Sequence, residues 1–411
     1  MSSRFEELLA VLPIDWPVRP ISEVAQRVES GGTPARSVPG YWGGDIPWVT
    51  PGELTALDHK YLNQTRESIS RRGLAGSGAT LVPRDSLLVT TRATLGSVAL
   101  AGRPMSTNQG FKTVVFDNES VDPSFYFYFF QTLLPEMKRR SSGTTFLEIS
   151  AKEFGGIRIP VPRLAEQRRI AEILDAMDQA IRSTDRLIGK LEYAKQGLLQ
   201  DCLTRGVDET GHVRSPATSA AEFTASPVGL RPSSWSVAPL GDHIRLQRGF
   251  DITVAEQVPG DVPVVSSSGV SSFHDRAMVP GPGVVVGRKG KLGDSYYIPS
   301  AFWPHDTTLW VKAFGGNEPK FVAMLLKSMR LERLDAATSV PTLNRNFVHP
   351  VLVAMPPDDE QRRIVKIVEI ANRRVMNELA YLAKLRLLKQ GLVEDVLTQR
   401  VQVSTGKDIP V

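Results

Sequence analysis

Glu166-Gln167-Arg168-Arg169-Ile170 returns as Glu360-Gln361-Arg362-Arg363-Ile364, at an offset of 194. The match continues downstream: Gln196-Gly197-Leu198-Leu199 comes back as Gln390-Gly391-Leu392-Val393, and Asp201, Leu203 and Thr204 as Asp395, Leu397 and Thr398. Self-similarity at a fixed spacing marks a duplicated architecture. Upstream the copies pair more loosely. Pro13-Ile14-Asp15-Trp16-Pro17-Val18-Arg19-Pro20 resembles Pro232-Ser233-Ser234-Trp235-Ser236-Val237-Ala238-Pro239 at 219, and Asp45-Ile46-Pro47-Trp48-Val49 answers Asp261-Val262-Pro263-Val264-Val265 at 216. Val82-Pro83, Leu95-Gly96 and Asn108-Gln109 answer Val279-Pro280, Leu292-Gly293 and His305-Asp306 at 197. The first copy therefore carries about 19 extra residues between positions 49 and 82, a loop-sized difference on a shared scaffold.

Each copy has two parts. The first is rich in Gly, Pro, Ser, Thr and Val, with short β-type runs such as Ser86–Thr90 and Gly283–Gly287 between turn signals, and reads as a mixed α/β domain. Asp122-Pro123 announces a helix over Ser124 to Lys138, and Asn317-Glu318-Pro319 one over Lys320 to Arg333. The second part is a long helix beginning just after Pro162 or Pro357. Ile170, Leu174, Met177, Ile181, Thr184, Ile188, Leu191, Lys195, Leu198 and Cys202 form a heptad seam. Its repeat is Ile364, Val368, Ala371, Val375, Glu378, Leu382, Leu385, Lys389, Leu392 and Val396, with polar interruptions at the same two places, which favour one register between the helices. The seam spans about 48 Å at about 1.5 Å per residue. The boundaries that follow are a first domain over 1–162, a first long helix over 163–205, a polar surface linker over 206–230, a second domain over 231–356, a second long helix over 357–400 and a tail over 401–411.

A chain of 411 residues with 23% charged and 41% hydrophobic residues fits two or three packed domains. Its single cysteine, Cys202, rules out an intrachain disulfide and points to a reducing, cytoplasmic setting. The sequence shows neither a signal peptide nor a membrane-length apolar run, and the net charge of +5 is compatible with nucleic acid without being diagnostic.

No catalytic constellation holds. Gly287-Arg288-Lys289-Gly290-Lys291-Leu292 lacks the first glycine and the Ser or Thr of a phosphate-binding loop. The six histidines are scattered without a metal-ligand spacing, there is no G-x-S-x-G elbow, and Cys202 falls on the seam as a small buried hydrophobe. Pro356-Pro357 is followed by Asp358, so no methyltransferase Asn/Asp-Pro-Pro-Tyr/Phe motif is present.

Two related domains with basic, Ser/Thr/Gly-rich loops, held at a fixed spacing by paired helices, suit an extended ligand with two separated patches, and duplex DNA is the natural candidate. Loop candidates for DNA contact are Thr33, Arg36, Arg92, Gln109, Lys112 and Thr144 in the first domain. In the second they are Arg248, Ser267, Arg288, Lys289, Lys291, Asn344 and Arg345. Each competes with the plainer reading of a solvated turn residue. Arg92 and Lys289 stand as shared phosphate contacts, while loops that differ between the copies are where two half-sites would be read.

With the Pro-x-x-x-Glu-Gln-Arg-Arg-Ile openings, the Gln-Gly-Leu-Leu/Val segments, Gly31-Gly32-Thr33-Pro34, Asp45-Ile46-Pro47-Trp48 and Asn108-Gln109-Gly110-Phe111, the chain resembles the specificity subunits of type I restriction–modification systems. The second domain departs from the pattern, with Gly249-Phe250 in place of Gly-Gly-Thr-Pro and His305-Asp306 in place of Asn-Gln. The resemblance implies an α+β fold, two pseudo-symmetric mixed α/β target-recognition domains separated by an antiparallel two-helix coiled coil. It implies a non-catalytic subunit, each domain reading one half of a bipartite asymmetric site, with the helices bounding the half-site separation at roughly 14 base pairs. Implied partners are double-stranded DNA, two methyltransferase subunits that N6-methylate adenine, and two restriction subunits, but no membrane. No cofactor is expected on this chain, with S-adenosylmethionine, ATP and Mg expected in the partners. Arg168, Arg169, Arg362 and Arg363 are candidate partner contacts, against the plainer reading of a solvated helix face. A stand-alone DNA-binding regulator and a non-DNA coiled-coil adaptor remain open.

Overall fold

The computed structural model describes residues 16–143, 147–334 and 342–397. They form two compact units, one of residues to Thr184 together with those from Tyr381, the other Asp185–Ala380. Each unit contains a mixed α/β domain and one half of each long helix. Those helices are Leu164–Arg205, of 42 residues, and Asp358–Leu397, of 40. Acidic residues in the first turn of each oppose the positive end of the helix dipole. Every seam position is buried or half-buried, whereas Tyr193, Met376 and Leu387, off the seam, are exposed. In the first unit Ile170 and Leu174 share a core with Leu392, Val393 and Val396, so the start of one helix packs beside the end of the other. In the second unit Cys202 and Leu203 pack with Ile364, Val365 and Val368. The pairing is antiparallel.

The duplication extends to individual strand registers. In the first unit the main sheet runs Arg27–Ser30, Phe111–Val115, Leu87–Thr90, Val98–Ala101, Tyr61–Leu62; in the second it runs Arg245–Arg248, Thr308–Ala313, Gly283–Gly287, Ser295–Ile298. Leu87, Leu88 and Val89 face Leu100, Ala99 and Val98; Val284, Val285 and Val286 face Tyr297, Tyr296 and Ser295. In the smaller sheets Trp48 pairs in parallel with Ser106, and Val264 with Trp303. Val18 opposite Pro160 corresponds to Val237 opposite Ala354.

The repeated Gln of the opening motif explains why sheet domain and long helix stay together. Gln167 donates to the Pro162 carbonyl at 2.7 Å and accepts from the Asp122 backbone N–H at 2.8 Å; Gln361 does the same to Pro356 at 2.9 Å and from Glu318 at 2.9 Å. Both glutamine side chains are buried, so each ties a backbone group at the start of a second helix to the entry of the long one. Those helices are Pro123–Phe130 and Pro319–Ser328, capped by Asp122 and Glu318. Both are shorter than their sequence suggests. The first breaks before a separate helix at Leu134–Arg140, because Pro135 lacks an N–H for the Gln131 carbonyl. The second ends before Arg330, which takes a left-handed φ of 49°, and a short turn at Leu331–Leu334 follows.

Two segments expected to be loops are folded. The extra residues of the first copy contribute the helix Pro51–Thr55 and the strand Tyr61–Leu62, and Leu54 and Leu62 enter a core. Lys60 fastens this insertion to the first long helix, its Nζ 2.7 Å from both Asp175 oxygens. Tyr128 donates to Asp175 at 2.7 Å and Asp178 at 2.9 Å, and Lys389 of the second helix pairs with Asp178 at 2.6 Å. Burial, then the two carboxylates, push the Tyr128 phenol far above its ordinary range. The segment 206–230, expected to be an aperiodic surface linker, buries Val207 and pairs Phe223–Ser226 with Gly229–Pro232 as a hairpin. Glu360 holds it, accepting from Val207 N at 2.9 Å, Arg214 Nη1 at 2.6 Å and Trp235 Nε1 at 3.2 Å. Short polar residues conceal this strap because its apolar contribution is confined to Val207, Val213 and Val228.

Candidate nucleic-acid interface

Each unit presents its candidate residues around a close backbone crossing. A Cβ on Gly31 would lie 1.9 Å from the Asn108 carbonyl oxygen, and one on Gly249 would lie 2.1 Å from that of His305. Only glycine allows these crossings, which bring the segment after the first sheet strand onto Asn108-Gln109 or His305-Asp306. A tryptophan braces each from a different strand. Trp48 Nε1 donates to the Gly32 carbonyl at 2.9 Å, and Trp303 Nε1 donates to the Phe250 carbonyl at 3.2 Å.

Beyond the crossing the first unit exposes Thr33 and Gln109, the Thr33 hydroxyl donating to the Gln109 carboxamide oxygen. Arg36 forms a two-point pair with Glu67, Nη2 to Oε2 at 2.9 Å, and its guanidinium lies 3.8 Å from the centre of a Trp42 ring. The Glu67 hydrogen bond raises the guanidinium pKa and lowers that of the carboxyl. Arg92 pairs with Glu148 at 3.5 Å. Lys112, expected on a loop, instead lies buried within the strand Phe111–Val115, where its Nζ donates to Ser30 Oγ at 3.0 Å. Burial depresses its pKa. Thr144 lies outside the described residues.

In the second unit cations gather on Asp306. Arg248 Nη2 bonds its carboxylate at 2.7 Å, Lys289 Nζ lies 4.0 Å away, and Arg288 Nη1 reaches the Asp306 backbone oxygen at 3.3 Å. Burial opposes ionisation of Asp306, but the Arg248 hydrogen bond and the charges of His305, Arg248 and Lys289 overcome it and hold the carboxyl below its usual range. Burial, with the Arg248 charge, lowers the Arg288 pKa. Arg248, Arg288, Asn344 and Arg345 line one cavity together with Phe250. Asn344 caps the short helix Arg345–Val348, accepting from Asn346 N at 3.0 Å. Ser267 is half-buried in a turn, and Lys291 pairs with its near neighbour Asp294 at 2.7 Å. Arg92 and Lys289 occupy matching positions, in isolated bridges to Glu148 and Thr342 respectively.

Sequence reasoning passed over the carboxylates Glu67, Glu148 and Asp306 that orient these cations. The repeat held one signal, Asp306 standing where the first copy has Gln109. Asp251, His305 and Asp306 bring ligand-type atoms within 4.8 Å of one another, but Arg248 and Lys289 on the same carboxylate would oppose a metal cation there.

On the long helices Arg168 is exposed, Arg169 pairs with Glu172 at 3.2 Å, and Arg362 and Arg363 pair with Asp358 and Asp359, each at 2.6 Å. These are local pairs one helical turn apart. Cys202 is fully buried and its thiol is pushed up to about 11, by burial first and then by Asp201 and Glu360, as suits a packing residue rather than a nucleophile. No described helix is long and apolar enough to cross a membrane.

Residues 13–193 match the family model for the type I restriction modification DNA specificity domain. The type I restriction enzyme MjaIX specificity subunit of Methanocaldococcus jannaschii is 28% identical over 242 residues, 58% of this chain and 54% of that one. The match thus spans about half of that relative's length. The putative type I restriction enzyme MjaX specificity subunit of the same organism is 20% identical over 96% of this chain and 95% of its own. Among solved structures, the S subunit of a type I restriction–modification system from M. genitalium shares the fold at a TM-score of 0.55 and 16% identity, over 94% of this chain and 98% of that one. A chain from a structure describing complex assembly and conformational transition of the type I R-M system superposes with a TM-score of 0.62 and 18% identity, over 94% and 98%.

Proposed function

We propose that this chain, which matches the type I restriction modification DNA specificity domain over residues 13–193 and resembles specificity subunits along its length, is the non-catalytic DNA-recognition subunit of a cytoplasmic type I restriction–modification complex, each α/β domain reading one half of a bipartite asymmetric site. The observation that carries the reading is the pair of glycine crossings at Gly31 and Gly249: one backbone frame, repeated strand by strand, presents different side chains at matching places. A shared frame fixes how a domain meets the groove, and divergent side chains fix which bases it accepts.

In this reading Thr33 and Gln109 face base edges in one half-site. Arg248 and the residues lining its cavity do so in the other, and Arg92 and Lys291 exchange their carboxylate partners for phosphates. The two long helices, about 63 and 60 Å at about 1.5 Å per residue, set the unspecified spacer. Their outward faces, with Arg168, Arg169, Arg362 and Arg363, dock two methyltransferase subunits, and two restriction subunits join the assembly. S-adenosylmethionine, ATP and Mg belong to those partners, which flip and N6-methylate an adenine in each half-site.

The test is single-molecule sequencing of methylated adenines in DNA from cells expressing the methyltransferase with and without this chain. A split motif that appears only with the chain is expected, and exchange of residues 231–356 for those of a relative should change one half alone. An assembled, active methyltransferase with no chain-dependent motif would overturn the reading.

A further inference from the structure

We propose that Arg248, held by Asp306, reads a guanine in the half-site of the second domain. The inference rests on the recognition role proposed above and gives it a base and a residue. Arg248 is bonded to Asp306 through one nitrogen, Nη2, and its side chain remains 55% exposed. Asp306 is the fixed member, with its side chain 14% exposed and ringed by Lys289 and His305. A guanidinium anchored by one nitrogen keeps its other donors for a ligand and has lost the freedom that would blur its aim.

The chemistry of the ligand follows from the anchor. A phosphate placed on Arg248 would come close to the Asp306 carboxylate, and two anions repel at that distance. A guanine edge offers two uncharged acceptors, O6 and N7, which suit an arginine fork and carry no such penalty. Arg36 of the first unit shows the contrast: it engages both Glu67 oxygens and stacks on Trp42, a geometry that spends its fork internally. The strand position matching Arg248 is Ser30, and Gln109 matches Asp306, so this reader has no equivalent in the first domain.

The experiment uses the assembled methyltransferase containing Arg248→Ala or Asp306→Asn chains, read by methylated-adenine sequencing and by binding to duplexes substituted at each position of the second half-site. The expected result is a guanine in that half-site whose discrimination falls about tenfold or more in Arg248→Ala and relaxes at the same position in Asp306→Asn, with the first half-site unchanged. The unchanged first half-site reports that both variants fold and assemble. The salt dependence of binding should keep its slope in Arg248→Ala, since no phosphate contact is removed. A second half-site without a G·C pair, or a uniform loss of affinity with a shallower salt slope, would overturn the proposal while leaving the recognition role intact. Loss of every chain-dependent motif in the unmodified complex would overturn both.

Discussion

The two domains solve one packing problem with the same indole on different strands. Trp48 stands opposite Ser106 in the first, and Val264 opposite Trp303 in the second, yet each tryptophan donates to the matching carbonyl, Gly32 or Phe250. The frame requires one buried N–H donor and one large ring at that crossing, and leaves open which strand supplies them. The same freedom appears one strand away, where Lys112 opposite Ser30 becomes Leu309 opposite Arg248. A buried cation in one domain is an exposed one in the other. Position in the sheet is inherited by the fold, and the side chain is free to specialise.

The severest challenge to this equivalence is at the glycines. Gly31→Ala and Gly249→Ala each drive a Cβ into a backbone carbonyl, and each should cost about 3 kcal/mol or more, measured as a loss of denaturant midpoint. A mild effect at one site would show that the crossings are not equivalent. Gln167→Ala and Gln361→Ala come next, at about 2 kcal/mol each, because a part-buried backbone N–H loses its acceptor and a buried carbonyl its donor. Faster hydrogen exchange at the Asp122 and Glu318 amides should accompany them.

Trp48→Phe and Trp303→Phe should each cost about 1.5 kcal/mol through the lost donor to the Gly32 or Phe250 carbonyl. The pair Trp48→Val with Ser106→Trp rebuilds the second domain's arrangement in the first, and thermal unfolding should show it more stable than Trp48→Val alone. The smallest effect is expected at Lys112→Leu, which copies Leu309 and should fall within about 1 kcal/mol of the parent, on the stabilising side. Its signature is in the pH dependence. Burial lowers the folded pKa of Lys112, so wild-type stability should rise as pH climbs from that folded value towards the ordinary lysine value of about 10.4, and the variant should lose this rise.

Much of the architecture was legible because it rests on periodicity. The offset of 194 paired the long helices, and the spacing of Ile170, Leu174, Ile188 and Cys202 gave the buried seam. Helix lengths were less legible: Pro135 lies inside an apolar run that reads as one helix until its missing N–H is counted. The strap after Arg205 escaped notice because a hairpin held by one buried carboxylate, Glu360, leaves almost no hydrophobic pattern. At the candidate interface, composition placed Lys112 among the loop residues, since alternation does not reveal that a lysine's partner is Ser30 on a strand 82 residues away.

The sequence by itself determined the duplication, the two long helices and their buried face, and the residues that differ between the copies, because these depend on spacing along the chain. Tertiary structure decided which cations are already bonded to carboxylates, which backbone crossings demand glycine, and that Arg248 is anchored at one nitrogen while Arg36 is held at two. Such distinctions depend on distances of a few ångströms between residues remote in sequence, and folding alone brings them together.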